Sequence, residues 1–266
     1  LHISLAGGAV YRFLRRFMRQ GAAFTIPALI MICFCSISGE STSTVRAVVM
    51  YIIGVFAKVL GRKYDIKNAM ALSMIWILVE NPLCINNGGF ILSFVSVFGI
   101  AYILPLINEI CGDYTKLKGK KGIELFKAKV ISSFVSSTVL YFVTLMCMSA
   151  LYYEVYVYSI ITNALLLPVM GVLVICGFLG GVVYYIFVPF GNVFISFSVI
   201  LLNIYEFVCR IVSKFPGNIW VTGHKPLVEI IIYYVLLCVT VIICVFMKRK
   251  NKKNLDIIAV MITGII

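Results

Sequence analysis

Long runs of apolar residues alternate with short polar stretches along the whole chain. A helix that crosses a bilayer needs about 20 consecutive, mainly apolar residues. The pattern therefore predicts an all-α membrane protein, a polytopic helical bundle with about eight full transmembrane helices and partial helices at both ends. The full segments are residues 22–38, 45–60, 69–79, 90–107, 130–151, 157–187, 193–212 and 228–247, and the partial ones are 3–10 and 257–266.

The composition excludes an ordinary soluble domain. Hydrophobic residues make up 62% of the chain and charged residues 12%, whereas soluble domains have about 45–50% apolar and about 25% charged residues. We expect a single polytopic membrane domain over residues 1–266. Because the chain opens with Leu1 and ends with Ile266 inside an apolar stretch, we also expect it to be a fragment of a longer protein.

The basic residues predict how the helices are oriented. Loops rich in Lys and Arg stay on the cytoplasmic side of a membrane. The last of four basic clusters lies on the cytoplasmic side only if the chain crosses the membrane three times after residue 156. Segment 157–187 must then be a single crossing. Because Pro168 and Gly171 lie inside it, we predict that this crossing is kinked. The basic clusters are residues 12–19, 58–67, 116–129 and 248–253, and the loops without Lys or Arg are 39–44, 81–89 and 152–156.

The residue types argue against an enzyme. The chain has two His and ten Asp or Glu residues, and it contains no HExxH, Walker or GxSxG motif. Its nine Cys include no CxxC pair, and most lie in apolar segments, where Cys packs as a small apolar residue. We therefore expect no catalytic residues, no metal site and no cofactor.

Polar residues in or beside the apolar segments are the candidate functional residues, because a polar group in lipid is costly and usually faces a partner or a water-filled path. Glu80 ends one segment, and Asn163 lies inside another, before Pro168. Arg46 lies at the start of a third apolar segment. It is either an interfacial Arg whose charge reaches the membrane surface or a cation at the outer mouth of a path for anions, and the sequence leaves both open.

Several stretches resemble one family, the ComEC-type competence proteins, which are bacterial DNA-uptake channels. The resemblance lies in the order of the stretches along nearly the whole chain, more than in any single one. They are LHISLAGGAVYRFLRR (1–16), STSTVRAVVM (41–50), NPLCINNGGFILSFVSVFGI (81–100), YSIITNALLLPVMG (158–171) and FPGNIW (215–220).

The resemblance implies a channel for single-stranded DNA across the bacterial cytoplasmic membrane during transformation. Its implied partners are single-stranded DNA, membrane lipids and competence machinery proteins on both sides of the membrane, and a homo-oligomer is possible in such a system. Family members often carry an extracellular soluble segment and a metallo-β-lactamase-like domain, which we expect to lie outside these 266 residues.

The turn 81–89 is the predicted mouth of this path. Irregular backbone at membrane depth is tolerated only where it is buried in protein or lines a water-filled cavity, and single strands are held by cations and aromatic stacking. Phe90 would then stack bases, although an ordinary external turn followed by core aromatics also fits. The DNA-path candidates are Arg46, Glu80, Asn81, Asn86, Asn87, Gly89, Phe90, Ser93 and Asn163, and the helix-break candidates are Pro82, Pro168 and Gly171.

A small-solute permease is the alternative function. Such transporters pair two halves with matching broken helices around a site at the membrane midplane. Segment 157–187 has the Gly and Pro interruptions, but the first half of the chain has no clear counterpart.

Overall fold

The structure is a computed structural model, and it describes residues 11, 16, 20–37, 39, 41–112 and 122–250. The predicted partial helices at 3–10 and 257–266 lie outside the described residues, as do most of the basic residues 12–19 and 251–253.

Helices make up most of the described chain, as predicted. A 3₁₀ turn, Pro82–Asn86, and a π-helical turn, Gly99–Ile103, interrupt the α-helices. The two short strands are β1, Glu154–Tyr156, and β2, Ile219–Val221. The α-helices are α1, Gln20–Ile37; α2, Thr42–Val59; α3, Ile66–Glu80; α4, Gly88–Phe98; α5, Leu104–Cys111; α6, Gly122–Tyr152; α7, Ser159–Ile186; α8, Val188–Ser213; and α9, Leu227–Lys250.

The protein is a multi-pass membrane protein, but the predicted number of about eight spans is not confirmed. In the described residues five stretches are long and apolar enough to cross a bilayer, and a sixth is added if the bent α7 counts as one span. The helix α3 has 15 residues, which at about 1.5 Å per residue is shorter than a bilayer core of about 30 Å. The five are Thr42–Val59, Gly88–Cys111, Gly122–Tyr152, Val188–Ser213 and Leu227–Lys248.

The kink predicted in segment 157–187 is present. A break that contains Pro168 separates the parts Ser159–Leu166 and Val169–Tyr185. A proline inside a helix removes one backbone hydrogen bond, so an interruption is expected at this position.

The chain divides into two compact units, each made of two stretches. The first unit contains Leu1–Phe94 and Leu165–Pro216, and the second contains Val95–Ala164 and Gly217–Ile266. The single membrane domain remains a prediction.

In the first unit, helix α2 packs against both α1 and α3. The last turn of α7 and the first turn of α8 approach each other closely at Gly191, where an added Cβ would meet the backbone of Tyr184. A second close approach lies at Gly180, whose Cβ would lie 2.9 Å from Ile195 Cγ1. Two glycines therefore let these helices pack with their backbones in near contact.

In the second unit, side chains of α9 hold α6. The Tyr233 hydroxyl donates to the Phe142 carbonyl oxygen at 2.8 Å, and the Tyr234 hydroxyl donates to the Val143 carbonyl oxygen at 2.9 Å. The π-helical turn packs on α6, with Gly99 against Val143. A Cβ added at Gly99 would lie 2.9 Å from Val143 Cγ1, so the packing requires glycine there. These contacts fix α6 between α9 and the π-helical turn.

Contacts within each unit bring the ends of several helices together, and the predicted orientation of the loops stays a prediction. In the second unit Lys248, at the end of α9, lies against the end of α5. Strand β2, before α9, pairs with β1, after α6. In the first unit the start of α4 meets the start of α2, where Gly89 lies beside Thr42. The starts of α2 and α4, which follow the neutral loops 39–44 and 81–89, thus lie together in the first unit.

Lys248 caps a helix that lies far away along the chain. Its Nζ donates to the carbonyl oxygens of Glu109 at 2.6 Å and Ile110 at 2.5 Å. These carbonyls belong to the last turn of α5, where helical carbonyl groups are available to partners from outside the helix. A cation there also interacts favourably with the negative end of the helix dipole.

Replacing Lys248 by methionine is expected to lower the free energy of unfolding by about 1.5–3 kcal/mol, the range for hydrogen bonds to a charged group. The measurement is the thermal midpoint in detergent. The matched control is Lys129→Met, because Lys129 is an exposed lysine on α6. Equal midpoints for the two variants would show that the Lys248 cap does not stabilise the fold.

Candidate functional site

The start of α2 forms one side of the candidate site. Ser41 caps the helix, because its hydroxyl oxygen accepts from the Thr44 backbone N–H at 3.4 Å. The Ser41 and Thr44 hydroxyls are 2.7 Å apart. Serine is among the preferred N-cap residues, so the small polar turn before this helix starts it and brings Arg46 to its second turn.

Arg46 is a buried cation. Only 6% of its surface is exposed, and its Nη1 donates to the Ser93 carbonyl oxygen of α4. The guanidinium carbon lies 5.5 Å from the centroid of the Phe94 ring, within the range of a cation–π interaction. The contacts hold the side chain of Arg46, which belongs to α2, against α4.

The charge of Arg46 is only partly satisfied. Its Nε is buried without a hydrogen-bond partner, and no carboxylate of the described residues forms an ion pair with it. A buried charge without a counter-ion is costly, and such residues in membrane proteins usually serve a function.

The polar turn before α4 caps two helical elements. Asn81 Oδ1 accepts from the Leu83 backbone N–H at 3.1 Å and so starts the 3₁₀ turn, which has Pro82 as its first residue. Asn87 Oδ1 accepts from the Gly89 backbone N–H at 2.8 Å in the first turn of α4. The turn-forming side chains therefore satisfy backbone groups that would otherwise be unpaired where α3 ends and α4 begins.

Gly89 lets the starts of α4 and α2 approach each other. A Cβ at this position would lie 3.2 Å from Asn87 Oδ1 and 3.6 Å from Thr42 Oγ1. The positive ends of two helix dipoles therefore lie close together at the end of the first unit that carries Arg46.

The aromatic residues below the turn form a packed cluster. Phe90 is 2% exposed and packs with Ile77 and Phe94. The two Phe rings have centroids 4.6 Å apart at an interplanar angle of 49°. Stacking of bases on Phe90 remains a prediction, and it requires this cluster to open, because its ring is covered by protein in this structure.

The two asparagines of the turn provide a matched test of capping. Replacing Asn87 by alanine is expected to cost about 0.5–2 kcal/mol of stability, the range for loss of an N-terminal helix cap. Asn86→Ala is the control, because Asn86 is exposed and its side chain makes no hydrogen bond within the described residues. The measurement is the thermal midpoint in detergent, and equal losses for both variants would contradict a capping role for Asn87.

The comparison with protein families decides what kind of protein carries this site. The family model described as Competence protein matches residues 1–247. The chain belongs to this family. No curated protein and no solved structure matches the chain.

The other predicted site residues of this Competence family chain lie outside the buried cluster. Glu80, Asn81, Asn86, Asn87 and Gly89 are exposed around the 3₁₀ turn, whereas Ser93 is buried beside Arg46. Asn163 is half-buried in α7 and belongs to the second unit, so it is described apart from the Arg46 cluster.

Two of the three helix-break candidates coincide with breaks. Pro82 begins the 3₁₀ turn after α3, and Pro168 lies at the bend of α7. Gly171 lies within continuous helix, because a single glycine lowers helix stability without removing a hydrogen bond.

A π-helical turn at Gly99–Ile103 is a feature of this Competence family chain that the sequence reasoning missed. It separates α4 from α5 and carries Tyr102, whose ring stacks on Phe98 with centroids 4.6 Å apart. Both rings are exposed, and single π-helical turns occur frequently at functional sites. The isolated Gly99 in an apolar run was the available signal, because such a glycine often marks close packing.

The described residues hold no group of three or more His, Cys, Asp or Glu side chains that could bind a metal ion. The chemistry that the site offers is electrostatic and apolar: one buried guanidinium, two helix N-termini and aromatic rings.

Proposed function

We propose that this Competence family protein forms a transmembrane channel that takes up single-stranded DNA across the bacterial cytoplasmic membrane during transformation. Membership of the family over residues 1–247 is the observation that carries the proposal. The apolar spans support it, because a polyanion crosses a bilayer only along a path that protein lines.

The positive charge of the first unit supports a path that favours anions such as DNA. The phosphates of a DNA strand are negative, and Arg46 together with the starts of α2 and α4 provides a positive local field. Within this proposal Arg46 acts mainly through its field, because its guanidinium is covered by Ser93 and Phe94. Fields inside a low-dielectric protein act over longer distances than in water.

The proposal includes partners that the residues alone do not identify. Single-stranded DNA is the substrate, lipids surround the spans, and competence machinery proteins would deliver the strand outside and pull it inside. A homo-oligomer could complete the path. The protein would act as a channel, with no catalytic step and no cofactor of its own.

Complementation tests the proposed function. A transformable strain whose own competence channel gene is deleted would express this protein, and labelled DNA protected from external nuclease would be counted inside the cells. We expect restored internalisation. Immunoblotting of the membrane fraction is the control for insertion.

Properly inserted protein without DNA uptake, in a strain with its other competence proteins intact, would contradict the proposal. Profiling of solute uptake would then test the small-solute permease, for which the bend in α7 is the relevant feature, since broken helices commonly form transporter sites.

A further inference from the structure

The two-stranded sheet of the second unit exposes apolar side chains on both of its faces. Cross-strand partners share a face, so Trp220 lies on the same face as Val155, whereas Ile219 and Val221 lie on the other. Trp220 is 71% exposed, and Ile219 and Val221 are also exposed. Val155 is buried, so only part of one face is covered by protein.

The sheet is held firmly at the end of two apolar helices. The Thr222 backbone N–H donates to the Tyr153 carbonyl oxygen at 2.9 Å, and the Val157 N–H donates to the Asn218 carbonyl oxygen at 3.1 Å. The hydroxyls of Thr222 and Ser149 are 2.7 Å apart, which ties the sheet to α6. The exposed side chains therefore occupy a fixed place where α6 ends and α9 is about to begin.

The backbone of the sheet determines its depth in the membrane. A two-stranded sheet leaves the outer N–H and C=O groups of both strands unpaired within the sheet. Such groups are not tolerated in the hydrocarbon core, where no water can bind them. Exposed apolar side chains, in contrast, favour lipid over water. The unpaired backbone groups need water and the apolar side chains need lipid. Both needs are met only in the layer between the hydrocarbon core and bulk water, which contains headgroups and water.

The side chains also fit this layer. Trp and Tyr are enriched at membrane–water interfaces, because each has an apolar body and a polar tip. Tyr152, Tyr153 and Tyr156 are exposed beside Trp220. The Tyr156 hydroxyl donates to Glu154 Oε2 at 3.1 Å, and this hydrogen bond raises the pKa of Tyr156 above its ordinary value.

The charges at the sheet disfavour a nucleic acid as its occupant. Surfaces that bind single strands combine aromatic rings with Lys or Arg. The two strands carry no Lys or Arg and one carboxylate, Glu154. The nearby Lys225 is paired with Glu229 at 3.2 Å. A phosphate would meet a carboxylate here and no unpaired cation on the strands.

We propose that the β1–β2 sheet is a lipid-binding element that lies in the headgroup layer of the bilayer, with Trp220 placed among the phospholipid headgroups. The surface is continuous with the apolar spans of α6 and α9, so the occupant is the same membrane that they cross. The sheet thereby anchors the ends of both helices at a fixed depth. The inference does not depend on transport of DNA.

Tryptophan fluorescence tests the depth of the sheet directly. The chain has two Trp residues, Trp76 and Trp220, so the Trp76→Phe variant reports on Trp220 alone. The full chain would be reconstituted in phosphatidylcholine vesicles whose acyl chains carry bromine either near the headgroup or near the chain end. We expect bromine near the headgroup to quench Trp220 emission more than bromine near the chain end, with partial quenching by aqueous iodide.

Three results would overturn the proposal. Strong quenching by iodide with no effect of brominated lipid would place Trp220 in water. Stronger quenching by bromine near the chain end would place it in the hydrocarbon core. Loss of emission on adding oligodeoxythymidylate, without quenching by either lipid, would make the sheet a nucleic-acid surface. If the Trp76→Phe variant does not insert, the native emission minus that of Trp220→Phe gives the same quantity.

Discussion

Replacing Arg46 by methionine is expected to remove most DNA uptake while the protein keeps its stability. Methionine has a similar length and fills the space beside Phe94, and removing a buried charge that has no counter-ion among the described residues also removes its desolvation cost. The Ser93 carbonyl retains its place in α4. The field of the guanidinium is lost, however, and a loss of about 1.4 kcal/mol of attraction for the strand lowers the transport rate about tenfold.

The measurement is internalised DNA per cell, with membrane level and thermal midpoint recorded for each variant. Arg62→Met is the matched control, because Arg62 is an exposed arginine in the loop after α2. Arg46→Lys should retain part of the uptake, since lysine keeps the charge but not the planar fork. Normal uptake in Arg46→Met at normal membrane level would remove Arg46 from the proposed path.

Replacing Gly191 by alanine is expected to cause the largest loss of stability among single methyl additions in the first unit. The new Cβ would overlap backbone atoms of Tyr184, and backbone in a helix cannot move aside as a flexible side chain can. The last turn of α7 and the first turn of α8 must then separate. Overpacking of this kind costs about 1–3 kcal/mol and sometimes more, which thermal unfolding in detergent would measure.

Gly181→Ala is the control for this variant. Gly181 also lies in α7, but an added Cβ there would have no atom within 4 Å. Alanine in a helix is favoured over glycine by about 0.5–1 kcal/mol, so this variant should be neutral or slightly more stable. Equal stability of the two alanine variants would contradict the close approach of α7 and α8.

The sequence identified the elements whose signals are local. The turn from Asn81 to Gly89 was predicted from its asparagines, Pro82 and glycines, and these residues do cap and break helices in the structure. The bend at Pro168 was predicted for the same reason. Propensity and capping depend on neighbours within a few residues, so they can be read directly from the chain.

Features that depend on distant contacts were not accessible in this way. Nothing near Lys248 indicates that it caps α5, and nothing near Tyr234 indicates that its hydroxyl binds the carbonyl of Val143. The predicted count of about eight spans is not confirmed, because apolar composition alone does not separate a helix such as α3, with 15 residues, from a full crossing. Burial of Phe90 likewise follows from its packing with Ile77.

Arg46 combines a local signal that the sequence carries with distant contacts that only the structure shows. The sequence singled out this residue because a charge near an apolar segment is costly. It left open whether the side chain reaches the membrane surface or a path for anions. In the structure Arg46 is buried and donates to the Ser93 carbonyl oxygen of α4. Its position relative to the membrane surface and its role in transport both stay predictions, and the methionine variant tests the second.

Strand-resolved uptake tests the central proposal most directly. Duplex DNA with a different label on each strand would be offered to channel-deleted cells that express this protein, and both labels would be counted in the nuclease-protected cytoplasmic fraction. A channel for single strands predicts that each internalised molecule carries one label, and that the signal falls in Arg46→Met cells. Both labels entering together, or no protected DNA although the protein is inserted, would contradict the proposed function.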